Sequence, residues 1–226
     1  MGSRFLVTGC ARSGTGYTAR LFTALGLPCG HEALFNPIQL STGEIGWPES
    51  RSGESSWLAG PLLAYLPAGT AVLHQVRSPL SVIRSLVRVR HFELRTLYKE
   101  FAEELCPEMA QGDGLERSLR YWWLWNQEVE QGALRAGLAY RRYRLEDLDL
   151  ELVLELLDLV QIKPVSRERI QAVLDERPRD CNTSGDKLQD SELDWGTMPD
   201  TESKRQVLSL ARRYGYEAEL LAAEAD

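Results

Sequence analysis

Little in this chain of 226 residues is suited to binding metals or forming cross-links, for it has only 3 histidines and 4 cysteines. Cys10, Cys29, Cys106 and Cys181 are dispersed without a CxxC pair, so neither a structural zinc site nor a disulfide framework is expected. Positive charge is in deficit too. A formal net charge of −7 argues against a protein that coats nucleic acid, and leaves room for a local basic cleft that takes one anionic ligand. No run approaches the roughly eighteen apolar residues of a membrane-crossing helix. The N-terminus also lacks the basic-then-apolar pattern of a secretory signal. These absences point to a cytoplasmic protein with reduced thiols and no membrane span.

What is present is typical of a soluble globular protein: 43% hydrophobic and 26% charged residues, in a length that suits one domain over 1–226. Arg4 to Thr8 is a short apolar run that ends at Gly9. Tyr17, Leu21, Phe22 and Leu25 then follow at helical spacing until Gly26, which reads as strand, tight loop, helix. A second short strand is expected between Leu27 and Glu32. A second strand-loop-helix unit runs from Thr70 to Val76 and on through Pro79, placed where a helix's first turn tolerates proline. Leu115 to Arg135 reads as a helix, Ala139 to Arg144 as a strand, and a further helix starts at Glu146. Glu202 to Tyr214 reads as a final helix stopped by Gly215. Residues 36–54, rich in Gly, Pro and Ser, read as a mobile loop, and 178–199 as polar and irregular. The alternation predicts a three-layer α/β/α fold with a central parallel sheet.

The chemistry concentrates at Gly9-Cys10-Ala11-Arg12-Ser13-Gly14-Thr15-Gly16. Glycines five apart between a strand and a helix turn backbone N–H groups and a helix N-terminus toward a phosphate. Thr15, however, stands where a nucleotide-hydrolysing loop has its lysine, and Gly16 where it has its magnesium-binding hydroxyl. The cation has moved to Arg12. A second phosphate site is expected at Arg77 and Ser85, an arginine leaving a strand and a serine two turns into the next helix. Together they offer forked donors and a hydroxyl to a phosphate.

The R-S-G-T of residues 12–15 and the eight-residue spacing of Arg77 and Ser85 resemble the 5′-phosphosulfate and 3′-phosphate sites of the sulfotransferases that use 3′-phosphoadenosine 5′-phosphosulfate. The resemblance runs from residue 5 to about 216. It implies a P-loop NTPase-like fold and sulfuryl transfer to a hydroxyl on a carbohydrate, lipid or small metabolite, without a metal. It also implies nucleotide contacts from Gly9, Arg12, Ser13, Gly14, Thr15, Gly16, Tyr17, Arg77, Ser85 and Lys187. Lys187 lies in a stretch where the family closes a loop over the nucleotide, although the usual K-G-x-x-G is missing. Arg144-Leu145-Glu146-Asp147-Leu148 resembles the family's R-Y-E-D-L, and its acidic pair is expected to cap the next helix. Trp122, Trp123 and Asn126 resemble a W-x-x-x-N helix of bacterial members, with core packing an equal alternative.

Sulfuryl transfer needs charge stabilisation on the leaving phosphate and a base for the acceptor's proton. Arg12 is expected to supply the first. Glu32, twenty residues after Arg12 as in related enzymes, is the expected base, with His31 as its partner or substitute. His74 reads as buried structure and His91 as surface. The acceptor pocket falls to residues 36–54 and 91–114. Two other readings stay open: a non-catalytic module for 3′-phosphonucleotides, and a small-metabolite kinase, against which the missing Lys-Ser/Thr pair argues.

Overall fold

The computed structural model describes residues 4–36, 45–161, 165–176, 193–218 and 220. Five strands form one sheet: β1 (Phe5–Thr8), β2 (Cys29–His31), β3 (Gly53–Ser55), β4 (Ala71–Val76) and β5 (Tyr140–Arg144), in the order β2-β3-β1-β4-β5. Every pairing is parallel, so all five strands deliver their carboxyl ends to one edge. That edge is where open α/β sheets gather ligands.

Both faces of the sheet are covered, which explains why the central strands read as continuous apolar runs rather than as alternating ones. Leu6, Val72 and Val76 point into one core. It is completed by α2 (Pro79–Arg88), α4 (Gly114–Arg135) and α7 (Glu202–Arg213) through Ile83, Trp122, Val129 and Leu210. Phe5, Val7, Ala71 and Leu73 point into the other. There α1 (Thr15–Ala24), α5 (Leu150–Leu159) and α6 (Arg167–Glu176) contribute Phe22, Leu156 and Ile170. A further helix, α3 (Leu97–Leu105), follows α2 on the first side.

Two expectations need correction. The stretch 36–54 is not all loop: Gly53–Ser55 is a fully buried strand between β1 and β2. Its composition hid it, because Gly53 must be glycine where a Cβ would meet the Phe5 ring at 2.1 Å, and Glu54 and Ser55 are polar. The helix expected from Glu146 begins instead at Leu150, capped by Asp149, whose carboxylate accepts from the Leu152 amide at 2.9 Å. Glu146 and Asp147 are engaged elsewhere. Glu146 accepts from the Ser78 amide at 2.8 Å and the Tyr216 hydroxyl at 2.9 Å, and Asp147 forms a forked pair with Arg144.

Candidate active site

The loop that follows β1 is shaped by close packing as much as by glycine content. A Cβ at Gly9 would lie 2.0 Å from the Gln75 carbonyl oxygen, and Gly14 has φ +94° with Leu145 2.7 Å from where its Cβ would stand. Gln75, inside β4 one residue before its end, ties the loop to the sheet. Its side-chain amide donates to Ser13 O at 2.6 Å, while its Oε1 accepts from the Thr18 and Tyr143 hydroxyls. On the other side the Ser55 hydroxyl donates to Thr15 O at 2.8 Å. The Ala11 amide is not left for a ligand: it donates to the Tyr121 hydroxyl at 2.6 Å.

Helix α1 starts at Thr15 with no side chain capping it, so its first amides lack intrahelical acceptors and favour an anion. The Ser13 hydroxyl beside them is buried and has no hydrogen-bond partner among the described residues. A buried, unpaired hydroxyl costs about 1–3 kcal/mol, and an oxygen-rich anion above the loop would remove that cost. The loop, helix end and hydroxyl therefore fit a phosphate or sulfate group. Tyr17, also expected to touch nucleotide, is half-buried with its side chain packed against the core beneath α1.

Arg12, Arg77 and Ser85 come together although they are 65 and 73 residues apart in sequence. The Arg12 Nε donates to Ser85 Oγ at 2.8 Å, and Arg77 donates to the Arg12 carbonyl oxygen at 3.1 Å. Burial, with Arg88 and Arg77 acting as like charges, lowers the Arg12 pKa. It remains charged, since a guanidinium does not deprotonate in proteins, so the cluster favours an anion. Trp122 supports Arg77 by donating its indole N–H to the Arg77 carbonyl oxygen at 3.3 Å, and is itself fully buried. Asn126 serves the core: its Oδ1 accepts from His74 Nε2 at 3.0 Å and its side-chain amide donates to Trp122 O at 2.8 Å. His74 is fully buried, as expected, and burial pushes it down to about 3.

The second group of side chains stands at the ends of β2 and β3. Glu32 leaves β2 with φ +53°, a left-handed conformation that costs a non-glycine residue about 1 kcal/mol or more. Three hydrogen bonds over-determine it. Its amide donates to Ser55 O at 3.1 Å, its Oε2 accepts from Ser56 Oγ at 2.5 Å, and its Oε1 accepts from the Trp57 amide at 3.2 Å. Burial nevertheless wins over these bonds and raises the Glu32 carboxyl to about 7, with Glu54 adding a small push. Arg12 also has positive φ, at 70°. Two of the four described non-glycine residues in this region of backbone space are thus the two with the clearest chemistry.

His31 links the groups. Its Nε2 lies 3.3 Å from the Thr15 hydroxyl and 3.8 Å from Glu32 Oε1. Burial and Arg20 lower its pKa, so the imidazole is neutral near pH 7. Gly16 lets it sit there, since a Cβ at residue 16 would be 3.3 Å from the ring. Glu54 fixes the chain beyond: it accepts from the Ala33 and Leu34 amides at 2.6 and 3.1 Å and pairs with Arg51 at 2.9 Å.

Sequence reasoning missed Ser56, Trp57, Gln75 and Tyr121, which sit in a strand exit, a strand interior and a helix with no motif to mark them. His91, expected on the surface, is half-buried against Phe92, Trp57 and Tyr121. It sits there because residues 90–92 turn back onto α4 rather than out to solvent. Lys187 lies outside the described residues. Among the described residues, no group of three or more His, Cys, Asp or Glu is placed to hold a metal ion, and no helix is long and apolar enough to cross a membrane.

Neither a protein-family model nor a curated protein matches the chain. A solved structure does: the sulfotransferase domain from the curacin biosynthetic pathway aligns over 94% of this chain and 98% of that one, with a TM-score of 0.54 and 14% identity. The likeness is one of fold: this chain shares the α/β architecture of that sulfotransferase domain.

Proposed function

We propose that the chain is a single-domain sulfotransferase with a P-loop NTPase-like fold. It transfers a sulfuryl group from 3′-phosphoadenosine 5′-phosphosulfate to a hydroxyl on a carbohydrate, lipid or small metabolite in the cytoplasm. The observation that carries this reading is the convergence of Arg12, Arg77 and Ser85 above a loop that has lost the magnesium-type Lys-Ser/Thr pair. Such a cation cluster suits a nucleotide with phosphates at both its 5′ and 3′ ends, held without a metal.

When bound, the donor supplies an activated sulfur–oxygen bond next to a phosphate leaving group. Gly14, Thr15 and Gly16 hold its 5′ phosphosulfate through backbone amides, with Ser13 adding its hydroxyl. Arg77 and Ser85 hold the 3′-phosphate and so separate this nucleotide from ADP. Arg12 stands at the bridging oxygen and stabilises the charge that grows there as the sulfur–oxygen bond breaks. Glu32 takes the acceptor's proton while the hydroxyl oxygen bonds to sulfur, and a carboxyl that titrates near neutrality is matched to that task. Ser56 and Trp57 aim its oxygens. His31, between Thr15 and Glu32, orients the carboxylate and separates it from the loop.

Calorimetric titration with 3′-phosphoadenosine 5′-phosphate and with ADP, each with and without magnesium, tests the reading. Tight, metal-independent preference for the 3′-phosphorylated compound is expected. Equal binding, or a magnesium requirement, rejects it in favour of a kinase-like site. Normal nucleotide binding with no sulfate transferred to any hydroxyl acceptor would leave the non-catalytic module instead.

A further inference from the structure

His91 has a setting that nothing in the phosphate chemistry explains. Its amide closes on Leu86 O at 2.9 Å just past the end of α2. Its ring meets Phe92 edge-on at 4.8 Å between centroids, and lies 6.2 Å from both Trp57 and Tyr121. Those two neighbours each touch the reaction machinery: the Trp57 amide holds Glu32, and the Tyr121 hydroxyl holds the Ala11 amide of the phosphate loop. The ring therefore rests on both halves of the site at once.

The segment that carries it is anchored firmly. Phe92 O accepts from Lys99 Nζ at 2.6 Å and from Arg117 at 3.0 Å, and both cations pair with Glu103. Neither imidazole nitrogen has a hydrogen-bond partner among the described residues. Burial, followed by Arg12, Lys99 and Arg117, holds the ring down to about 4, so it is neutral at physiological pH. It cannot act as another cation for phosphate, but it offers one donor and one acceptor nitrogen.

We propose that His91 is an acceptor-binding residue whose imidazole hydrogen-bonds a polar group adjacent to the sulfated hydroxyl, so that the site selects vicinal diols and catechols over isolated alcohols. The physical basis is asymmetric. An acceptor lacking the second group leaves a desolvated imidazole nitrogen unpaired, whereas one that has it gains a bond at a pre-positioned ring. Trp57, Phe92 and Tyr121 are themselves almost fully buried, so they fix the imidazole rather than stack on a ligand. The inference rests on the sulfotransfer reading above.

The chain has only His31, His74 and His91, so each imidazole can be followed separately by nitrogen NMR in histidine-labelled protein. With saturating 3′-phosphoadenosine 5′-phosphate, catechol and phenol are titrated in turn. Catechol is expected to move the His91 signals, leave those of buried His74 in place, and bind about fivefold or more tighter than phenol. In His91→Phe that preference should shrink to within about twofold with nucleotide affinity kept, and His91→Gln should restore part of it. Equal binding of catechol and phenol, a His91 signal that catechol does not move, or a preference that survives His91→Phe would each overturn the inference while leaving nucleotide binding, and with it the sulfotransferase reading, intact. Failure of the parent protein to bind the nucleotide would remove both.

Discussion

Arg12 and Glu32 stand at the same edge of the sheet, yet their surroundings are opposite. The charges that act on Arg12 are Arg88 and Arg77, which crowd it with like charge and lower its pKa along with burial. Glu32 is held by neutral donors, a serine hydroxyl and a backbone amide, and has no lysine or arginine among the groups that shift it. Two kinds of readiness follow. The cationic half favours an anion, because gathering positive charge in a partly dry site costs free energy that a multiply charged ligand would return. The carboxyl half needs no ligand to be complete. Its burial outweighs its hydrogen bonds, so it holds and releases a proton close to neutral pH.

Substitutions should separate the halves. Glu32→Gln is expected to have the largest effect, lowering sulfate transfer by about a thousandfold with little change in calorimetric affinity for 3′-phosphoadenosine 5′-phosphate. Parallel losses of affinity and turnover would mean that Glu32 belongs to the nucleotide site. Arg12→Ala should cost turnover about a hundredfold and weaken the nucleotide as well, since one side chain serves both binding and charge stabilisation. Arg77→Ala and Ser85→Ala should weaken the 3′-phosphorylated nucleotide by about ten- to a hundredfold and leave ADP affinity unchanged. An equal loss for ADP would put the 3′-phosphate elsewhere.

Smaller effects concern pH. The transfer rate should rise with pH through about 7, as Glu32 loses its proton. Ser56→Ala removes a bond to the charged form, so the midpoint should move upward by about one unit; a fixed midpoint would show that Ser56 does not tune the base. Stability has the opposite sign. The folded carboxyl keeps its proton up to about 7, whereas the unfolded chain releases it near the ordinary value of 4.5. Stability is therefore lost as pH rises between those values, on the order of 2 kcal/mol in total for this partly exposed group. Glu32→Gln should flatten that part of a denaturant-based stability profile.

Much of the phosphate half was legible in sequence. Gly9 to Gly16 carries its own geometry, because glycines, a strand and a helix within a dozen residues are local facts. Arg77 and Ser85 are separated by a helical spacing that local rules also determine. The base half was legible only as Glu32 and His31. Ser56 and Trp57 follow a three-residue strand whose polar, glycine-started sequence has no period to recognise, and only its insertion between β1 and β2 makes it a strand. The acidic pair at Glu146 and Asp147 looked like a helix cap because local propensity favours caps. Tertiary partners, Ser78 and Tyr216, took the Glu146 carboxylate, and Asp147 turned to Arg144 three residues before it.

The amino-acid order alone thus determined a parallel α/β fold with a glycine-bounded strand-to-helix loop that lacks the Lys-Ser/Thr pair and carries a forward-placed arginine, since these depend on neighbours within one turn or one strand. Only the tertiary structure decided that Arg12 reaches Ser85, that burial lifts Glu32 to about 7, and that His91 turns inward against Trp57 and Tyr121. Each of those depends on distance and desolvation between segments far apart in the chain, quantities that no local pattern encodes.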